Sequence, residues 1–112
     1  MLNQVVLVGR LVRDPEVKKS KNKSSYSHIT LAVPRSYKNV DGEYETDFID
    51  CTLWQLMATN TQEYCKKGDI VGVKGRIESR VYEKDGEKKY TTEVIAEKIT
   101  FLSSNRNEAE EV

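Results

Sequence analysis

Two aromatic residues, Phe48 and Trp54, are the first candidates for a chemical role in this sequence. They lie six positions apart in a segment of alternating polar and apolar residues, so a β-strand would place both side chains on one face. Asp50 and Thr52 share that face, whereas the apolar stripe that includes Ile49 lies on the other. Large rings among polar neighbours, on the side away from the expected core, suggest a surface that binds through its rings.

A later segment adds cations to the same kind of face. Alternation there places Lys74, Arg76 and Arg80 on one side of a strand together with Tyr82. Tyr37 lies where an earlier strand runs out into its turn. Together these segments predict a sheet face on which aromatic rings are spaced among positive charges.

Rings spaced among cations suit an unpaired nucleic acid strand. Stacking on the face of a base tolerates any sequence and contributes about 1–3 kcal/mol per base. Cations neutralise phosphates and release counterions, so affinity falls as salt rises. Two plainer interpretations stay open, because aromatic residues also pack well within strands and most surface Lys or Arg are only solvated.

The candidate contacts fall into two groups. Stacking is predicted for Tyr37, Phe48, Trp54 and Tyr82, and phosphate contact for Arg10, Arg35, Lys38, Lys66, Lys67, Lys74, Arg76, Arg80 and Lys88. The lysine cluster at 18–23 either wraps nucleic acid or only keeps its loop soluble.

Catalysis has little support in the sequence. The only histidine, His28, is within conceivable reach of Cys51 across adjacent strands, but Cys51 lies on the apolar side and no third orienting group is evident. The carboxylates lack metal-ligand spacing, and Cys51 and Cys65 form no metal-binding pattern. We therefore expect a non-catalytic protein with no metal, no cofactor and two buried thiols.

The elements that must position these residues are five strands and one helix. Strands are predicted at 4–12, 26–37, 47–56, 69–82 and 89–102, and a helix at 57–67. A helix between the third and fourth of five strands is the order of an OB-fold. The predicted fold is therefore all-β, a five-stranded Greek-key barrel with one helix between strands 3 and 4.

Several local expectations accompany this fold. The dense apolar run of the first strand predicts cover on both faces or a bend through Gly9. Pro34 marks an edge or a bulge, and Gly72 and Gly75 permit the sharp coiling that a small closed barrel needs. The helix is expected to begin near Thr59, to carry lysines in its last turn and to end at Gly68.

Length and charge limit the possible classes. A chain of 112 residues is one domain by size, and 18 basic against 18 acidic residues give no net charge. Removal of residues 104–112 leaves 17 bases against 15 acids, so the body is slightly basic and the tail acidic. No apolar run is long enough to span a membrane and the start lacks signal-peptide features, so a cytoplasmic protein is expected.

Blocks along most of the chain resemble a known family, the bacterial single-stranded DNA-binding proteins. The match runs in order from residue 1 to about 103. Its blocks are Asn3–Leu11, Asp14–Glu16, Ile29–Val33, Lys66–Asp69, Val73–Ile77 and Tyr90–Val94. Several such blocks in order are far more specific than any one of them.

The resemblance implies an OB-fold domain at 1–103 and a short, disordered acidic tail at 104–112. It implies sequence-independent binding and protection of single-stranded DNA in replication, recombination, repair or natural transformation. The family is typically homotetrameric, and a cytoplasmic member is nucleoid-associated when on DNA. Its stacking aromatics fall on the four residues already chosen, and its basic positions include Arg80, Lys66 and Lys67.

Departures from the family pattern weaken the electrostatic part of the prediction. Asp50, Leu56 and Glu78 stand where members often carry a base. The chain ends in acids without the Pro-Phe tip that recruits partner enzymes, as in short paralogues or mobile-element copies. Two alternatives remain: an OB-fold adaptor that assembles with proteins as much as with DNA, which loss of the stacking aromatics would favour, and an RNA-binding protein.

Overall fold

Six strands and one helix follow one another in the part of the chain that the structure, a computed structural model, describes: residues 1–104. They are β1 (Val5–Leu11), β2 (Lys18–Lys19), β3 (Ser25–Lys38), β4 (Tyr44–Trp54), α1 (Leu56–Tyr64), β5 (Ile70–Lys84) and β6 (Glu87–Ser103). Apart from Ser104, the predicted tail at 104–112 lies outside the described residues.

The strands close into a barrel. Hydrogen-bonded neighbours run β1-β5-β6-β4-β3-β2, and β1 also pairs with β3 at Arg10 with Ala32 and Leu11 with Leu31. Since β1 contacts both β5 and β3, the five long strands form a closed ring, with α1 between β4 and β5. This confirms the predicted all-β OB-fold with its helix between the third and fourth long strands.

The core follows from the alternation of each strand. Leu11, Ile29, Leu31, Leu53 and Val71 are at most 2% exposed and point into the barrel. Residues at intervening positions face outward, because successive side chains of a strand point to opposite sides. One set of residues therefore fills the barrel, and the other set is available to a ligand.

Irregular positions bend the strands where the barrel closes. A Cβ at Gly75 would lie 2.1 Å from the carbonyl oxygen of Ile95, so only glycine allows this approach of β5 to β6. The register between β5 and β6 shifts at the same place. The β3–β4 register shifts between Pro34 and Lys38, which confirms the predicted bulge.

The helix is shorter than predicted and differently capped. It begins at Leu56 after Gln55, and Cys65 leaves it in an extended conformation with φ −121° and ψ 150°. Lys66 and Lys67 therefore lie beyond the helix rather than in its last turn. The prediction of a Gly68 cap is also wrong, because the Gly68 amide donates to the Leu11 carbonyl oxygen instead.

Two further expectations need comment. Of the two alternatives for the first strand, cover on both faces is not found in the single chain, because Val6 is 73% exposed and Val8 53% exposed, and a bend through Gly9 stays a prediction. The segment predicted as a loop contains β2, whose Lys18 and Lys19 pair with the start of β3. No helix within residues 1–104 is long and apolar enough to cross a membrane.

Candidate nucleic-acid interface

The outward face of β4 carries Phe48, Asp50, Thr52 and Trp54. Cys51 and Leu53, on the other face, lie in the core. A strand rises about 3.4 Å per residue, so Phe48 and Trp54 are separated by about 20 Å of strand. The two predicted rings thus share one face of the barrel but are too far apart to bind the same base.

The four predicted stacking residues differ in exposure. Tyr37 is 64% exposed, Phe48 66% and Tyr82 49%, whereas Trp54 is half-buried. Tyr37 lies near the end of β3, and Tyr82 lies in the part of β5 that pairs only with β6 as a hairpin beyond the barrel. The rings therefore spread over the outer surface instead of forming one cluster.

The basic face of β5 keeps the alternation predicted for it. Lys74, Arg76, Arg80 and Tyr82 lie at alternating positions of β5, together with Glu78. The buried Gly75 lies between the first two, whereas both faces are exposed farther along, since Ile77 is 46% exposed and Val81 56%. β6 lies between β5 and β4, since it pairs with β4 at Cys51 and Thr52. The cations of β5 and the rings of β4 thus lie on one outer surface, separated by one strand.

A row of side-chain contacts crosses this surface from β3 to β5. His28 Nδ1 lies 2.9 Å from Thr52 Oγ1, and that hydroxyl donates to Glu93 Oε2 at 2.6 Å. Glu93 Oε1 lies 2.5 Å from Arg80 Nε. The Glu93 side chain is only 12% exposed, so a largely buried carboxylate holds the guanidinium of the half-exposed Arg80 in place.

Three of the four predicted arginines are already paired with carboxylates. Arg35 contacts Glu45 at 2.6 Å and Asp47 at 2.9 Å, Arg76 contacts Glu78 and Glu97, and Arg80 contacts Glu93. The hydrogen bond from Arg35, together with its charge, lowers the pKa of Asp47 although burial opposes the shift. These ion pairs reduce the positive charge that the surface offers to phosphate, in addition to the reduction expected from Asp50 and Glu78.

The remaining predicted cations lie apart from one another. Arg10 donates to the Gly68 carbonyl oxygen at 2.8 Å, close to the exposed Lys66 and Lys67 that follow the helix. Lys38 lies 5.7 Å from the centre of the Tyr44 ring. Lys74 faces outward beside Val6, and Lys88 is in the β5–β6 hairpin opposite Glu83.

The Arg10 and Tyr82 ends of this surface are far apart. β5 pairs with Arg10 at Ile70, twelve residues before Tyr82, which corresponds to about 40 Å of strand. The predicted contacts thus extend along one side of the molecule. A ligand that contacts them all must be long.

Sequence reasoning missed Tyr26 and Tyr44. Tyr26 pairs with Trp54 across β3 and β4, with ring centroids 5.4 Å apart, and Tyr44 is 60% exposed beside Lys38. The alternation that places His28 outward also places Tyr26 outward, so a signal existed for Tyr26. Tyr44 lies outside the strand predicted from residue 47.

The conceivable His28–Cys51 pair is not formed. Cys51 lies opposite Ile29 in the register and points into the core, whereas His28 points outward. Burial, reinforced by the charges of Asp50 and Glu93, raises the pKa of the Cys51 thiol to about 12. Cys51 is therefore a core thiol and not an activated nucleophile. Cys65 is buried as well.

No group of three or more potential metal ligands occurs among residues 1–104. The described surface can bind a ligand through ring stacking, hydrogen bonds and charge.

Comparisons with known proteins match nearly the whole chain. Residues 2–102 match the family described as "Single-strand binding protein family". The chain is 48% identical to single-stranded DNA-binding protein B of Bacillus subtilis (strain 168) over 109 residues, which cover 96% of each chain. It is 44% identical to single-stranded DNA-binding protein 1 of Lactococcus lactis subsp. lactis (strain IL1403), covering 99% of this chain and 75% of that protein.

Proposed function

The chain belongs to the single-strand binding protein family, and on that premise we propose that it binds and protects single-stranded DNA without sequence preference. The observation that carries the proposal is the outer barrel surface on which Phe48 and Trp54 of β4 lie one strand away from Arg80 and Tyr82 of β5. In this proposal the protein acts in replication, recombination, repair or natural transformation, where single strands of DNA are exposed.

Stacking is the main source of affinity in this proposal. Three of the four rings are well exposed, whereas most of the arginines beside them are neutralised by acids. Base stacking on an aromatic ring contributes about 1–3 kcal/mol per base, and it does not depend on which base is present. Phosphate contacts from the lysines and the remaining charge of the arginines align the strand along the surface.

The first prediction tests the stacking residues. Trp54→Ala and Tyr82→Ala should each weaken binding to poly-dT by about 5- to 150-fold, the equivalent of one lost stacked base. Fluorescence anisotropy of a labelled oligonucleotide measures the affinity without relying on the only tryptophan.

Tyr90→Ala is the matched control for Tyr82→Ala. Tyr90 is 72% exposed in the same hairpin but pairs with Val81, on the face opposite Tyr82. The Tyr90→Ala variant should therefore bind poly-dT nearly as tightly as the wild type does. Full affinity in both Trp54→Ala and Tyr82→Ala would show that the assigned rings do not bind DNA.

The proposed action involves no chemistry. The outward His28 is bonded to Thr52, and the only nearby thiol, Cys51, is a core residue with a raised pKa. Incubation with end-labelled single strands should leave them at full length, and the appearance of shortened products would overturn this part of the proposal. Such a protein acts in the cytoplasm and joins the nucleoid when bound to DNA.

We also propose assembly into a homotetramer. Val6 and Val8 are exposed on the outer face of β1, and Leu102 of β6 is 52% exposed. A small chain with 32% charged residues gains apolar burial most readily by covering such a surface with another copy.

A further inference from the structure

Three rings form a cluster at one end of the outer surface. Tyr26 and Trp54 have centroids 5.4 Å apart at an interplanar angle of 44°, and Tyr26 and His28 have centroids 5.1 Å apart at 62°. The register pairs Tyr26 with Trp54 and His28 with Thr52, so all three rings lie on the face that also carries Phe48. His28 is exposed, and the other two rings are half-buried.

We propose that Tyr26 and His28, together with Arg13, form an additional nucleotide subsite that continues the DNA path beyond Trp54. The inference rests on the proposed function, because its ligand is the next nucleotide of the same single strand. A base stacks on the Tyr26 ring, the His28 imidazole contacts its edge or its phosphate, and Arg13 neutralises the phosphate that follows.

The hydrogen bonds around Thr52 define what His28 offers to a ligand. Since the carboxylate of Glu93 only accepts, the Thr52 hydroxyl uses its single hydrogen for the 2.6 Å bond to Glu93. Thr52 Oγ1 must then accept from His28, so the imidazole carries a proton on Nδ1. Nε2 is the nitrogen that remains for a base or a phosphate.

Arg13 differs from the paired arginines of the interface. Its guanidinium donates to Thr30 Oγ1 at 2.9 Å and to the His28 carbonyl oxygen at 3.3 Å, both neutral acceptors. Within the described chain it forms no salt bridge, in contrast to Arg35, Arg76 and Arg80. Its charge is therefore available to a phosphate.

A polar cavity of about 290 Å³ lies directly beside this cluster. It is lined by Arg13, Asp14, Glu16, Lys18 and His28. That volume is close to the lower end of the range for small-molecule sites, so it can hold part of a nucleotide. Arg13 and Lys18 provide two positive charges there and Asp14 and Glu16 two negative charges, and one carboxylate oxygen of Asp14 accepts from the Lys67 amide.

Photocrosslinking of the unmodified protein tests the subsite without a mutation. Poly-dT substituted with 5-iodouracil is bound, irradiated and digested, and the crosslinked peptides are mapped by mass spectrometry. Crosslinks at Tyr26 or His28 as well as at Trp54 are expected. Crosslinks at Trp54 or Phe48 with none at Tyr26 or His28 would overturn the subsite while leaving the proposed function intact.

Variants give an independent measurement. Tyr26→Ala should lose about 5- to 150-fold in affinity for poly-dT, and Tyr26→Phe, which keeps the ring, should lose little. Arg13→Gln should reduce the slope of log affinity against log salt by about 0.7, the value for one phosphate of a single strand. Thermal unfolding of each variant identifies any loss that comes from misfolding.

The failures of the two proposals are distinguishable. If the wild type binds poly-dT, while Arg13→Gln keeps the wild-type slope and folded Tyr26→Ala keeps the wild-type affinity, the subsite is wrong and DNA binding stands. If the wild type itself does not bind, the proposed function fails and the subsite fails with it.

Discussion

Arg76 shows how single residues limit the charge of this surface. Its Nε lies 2.8 Å from Glu78 Oε2, and its second contact, to Glu97, is 3.2 Å long. The hydrogen bonds to these carboxylates, that to Glu78 first, raise the pKa of Arg76 further. All three side chains are over 40% exposed, so the contacts add little to stability but cancel a charge that would otherwise attract phosphate.

A neutral residue at position 78 should strengthen DNA binding. Glu78→Gln removes the closer of the two carboxylates from Arg76, so the affinity for poly-dT should rise and the salt dependence should steepen by up to about 0.7 in slope. The free energy of unfolding should change by less than about 1 kcal/mol, because the ion pair is exposed. Titrations at several salt concentrations measure both binding quantities.

Glu63→Gln separates a local effect from a change in net charge. Glu63 is an exposed residue of α1 and forms no salt bridge within residues 1–104, and its replacement changes the net charge by the same amount. It should leave the affinity almost unchanged. Equal gains in both variants would mean that overall charge, and not the neutralisation of Arg76, limits binding.

At the scale of elements, the close contact of β5 with β6 makes the barrel possible. Gly75 is buried, and its backbone approaches Ile95 so closely that a Cβ would lie 2.1 Å from the carbonyl oxygen and 3.0 Å from the carbonyl carbon. Backbone atoms of a paired strand cannot move aside as a flexible side chain can. Gly75 therefore determines how sharply β5 coils between the core end and the hairpin that carries Tyr82.

Gly75→Ala should destabilise the protein by about 1–3 kcal/mol, the usual cost of forcing an extra group into a packed site. The Tyr82 hairpin should move with the strand, so DNA affinity should also fall. Gly72→Ala on the same strand is the control, since its nearest neighbour would be 3.6 Å away and its cost should stay within about 0.5 kcal/mol. Urea unfolding at one protein concentration compares them, and equal stabilities would contradict the argument.

For the whole molecule, the exposed apolar part of β1 makes assembly testable. Val8→Glu places a charge on the outer face that we propose to be covered by a second copy, so assembly should weaken strongly. Sedimentation equilibrium at micromolar concentration should give the wild type a multiple of the 12.9 kDa chain mass and Val8→Glu a smaller multiple.

The matched control uses the same substitution at a position outside the proposed interface. Val40 is fully exposed in the turn between β3 and β4, so Val40→Glu should assemble as the wild type does. A wild type that sediments as a single chain would refute the homotetramer. Affinity for long DNA should fall in parallel with assembly, because a single chain offers fewer rings and cations to one long strand than several joined chains do.

Local patterns of residues were sufficient to predict the fold class and the faces of the strands. Alternation is a local property of an extended chain, so Phe48 and Trp54 could be assigned to one face and Cys51 to the other before any pairing was known. Turn residues are equally local: an Asp-Gly pair between two strands predicts a hairpin turn, and Asp85 and Gly86 adopt positive φ angles of 55° and 79° there. The family resemblance likewise depended on short blocks of sequence that occur in a fixed order along the chain.

Which of these residues meet depends on the tertiary structure. Thr52 meets Glu93 because β4 and β6, which are distant in the chain, pair in parallel as the barrel closes. The contacts of Tyr26 with Trp54 and of Arg80 with Glu93 depend on the registers of the β3–β4 and β5–β6 pairs. Closure also ended the helix early, since the amides that follow it bond to Asp14, Asp69 and Leu11 rather than continuing the turn. Pairing between strands depends on the whole ring of contacts, whereas the periodicity of a strand depends only on its own residues.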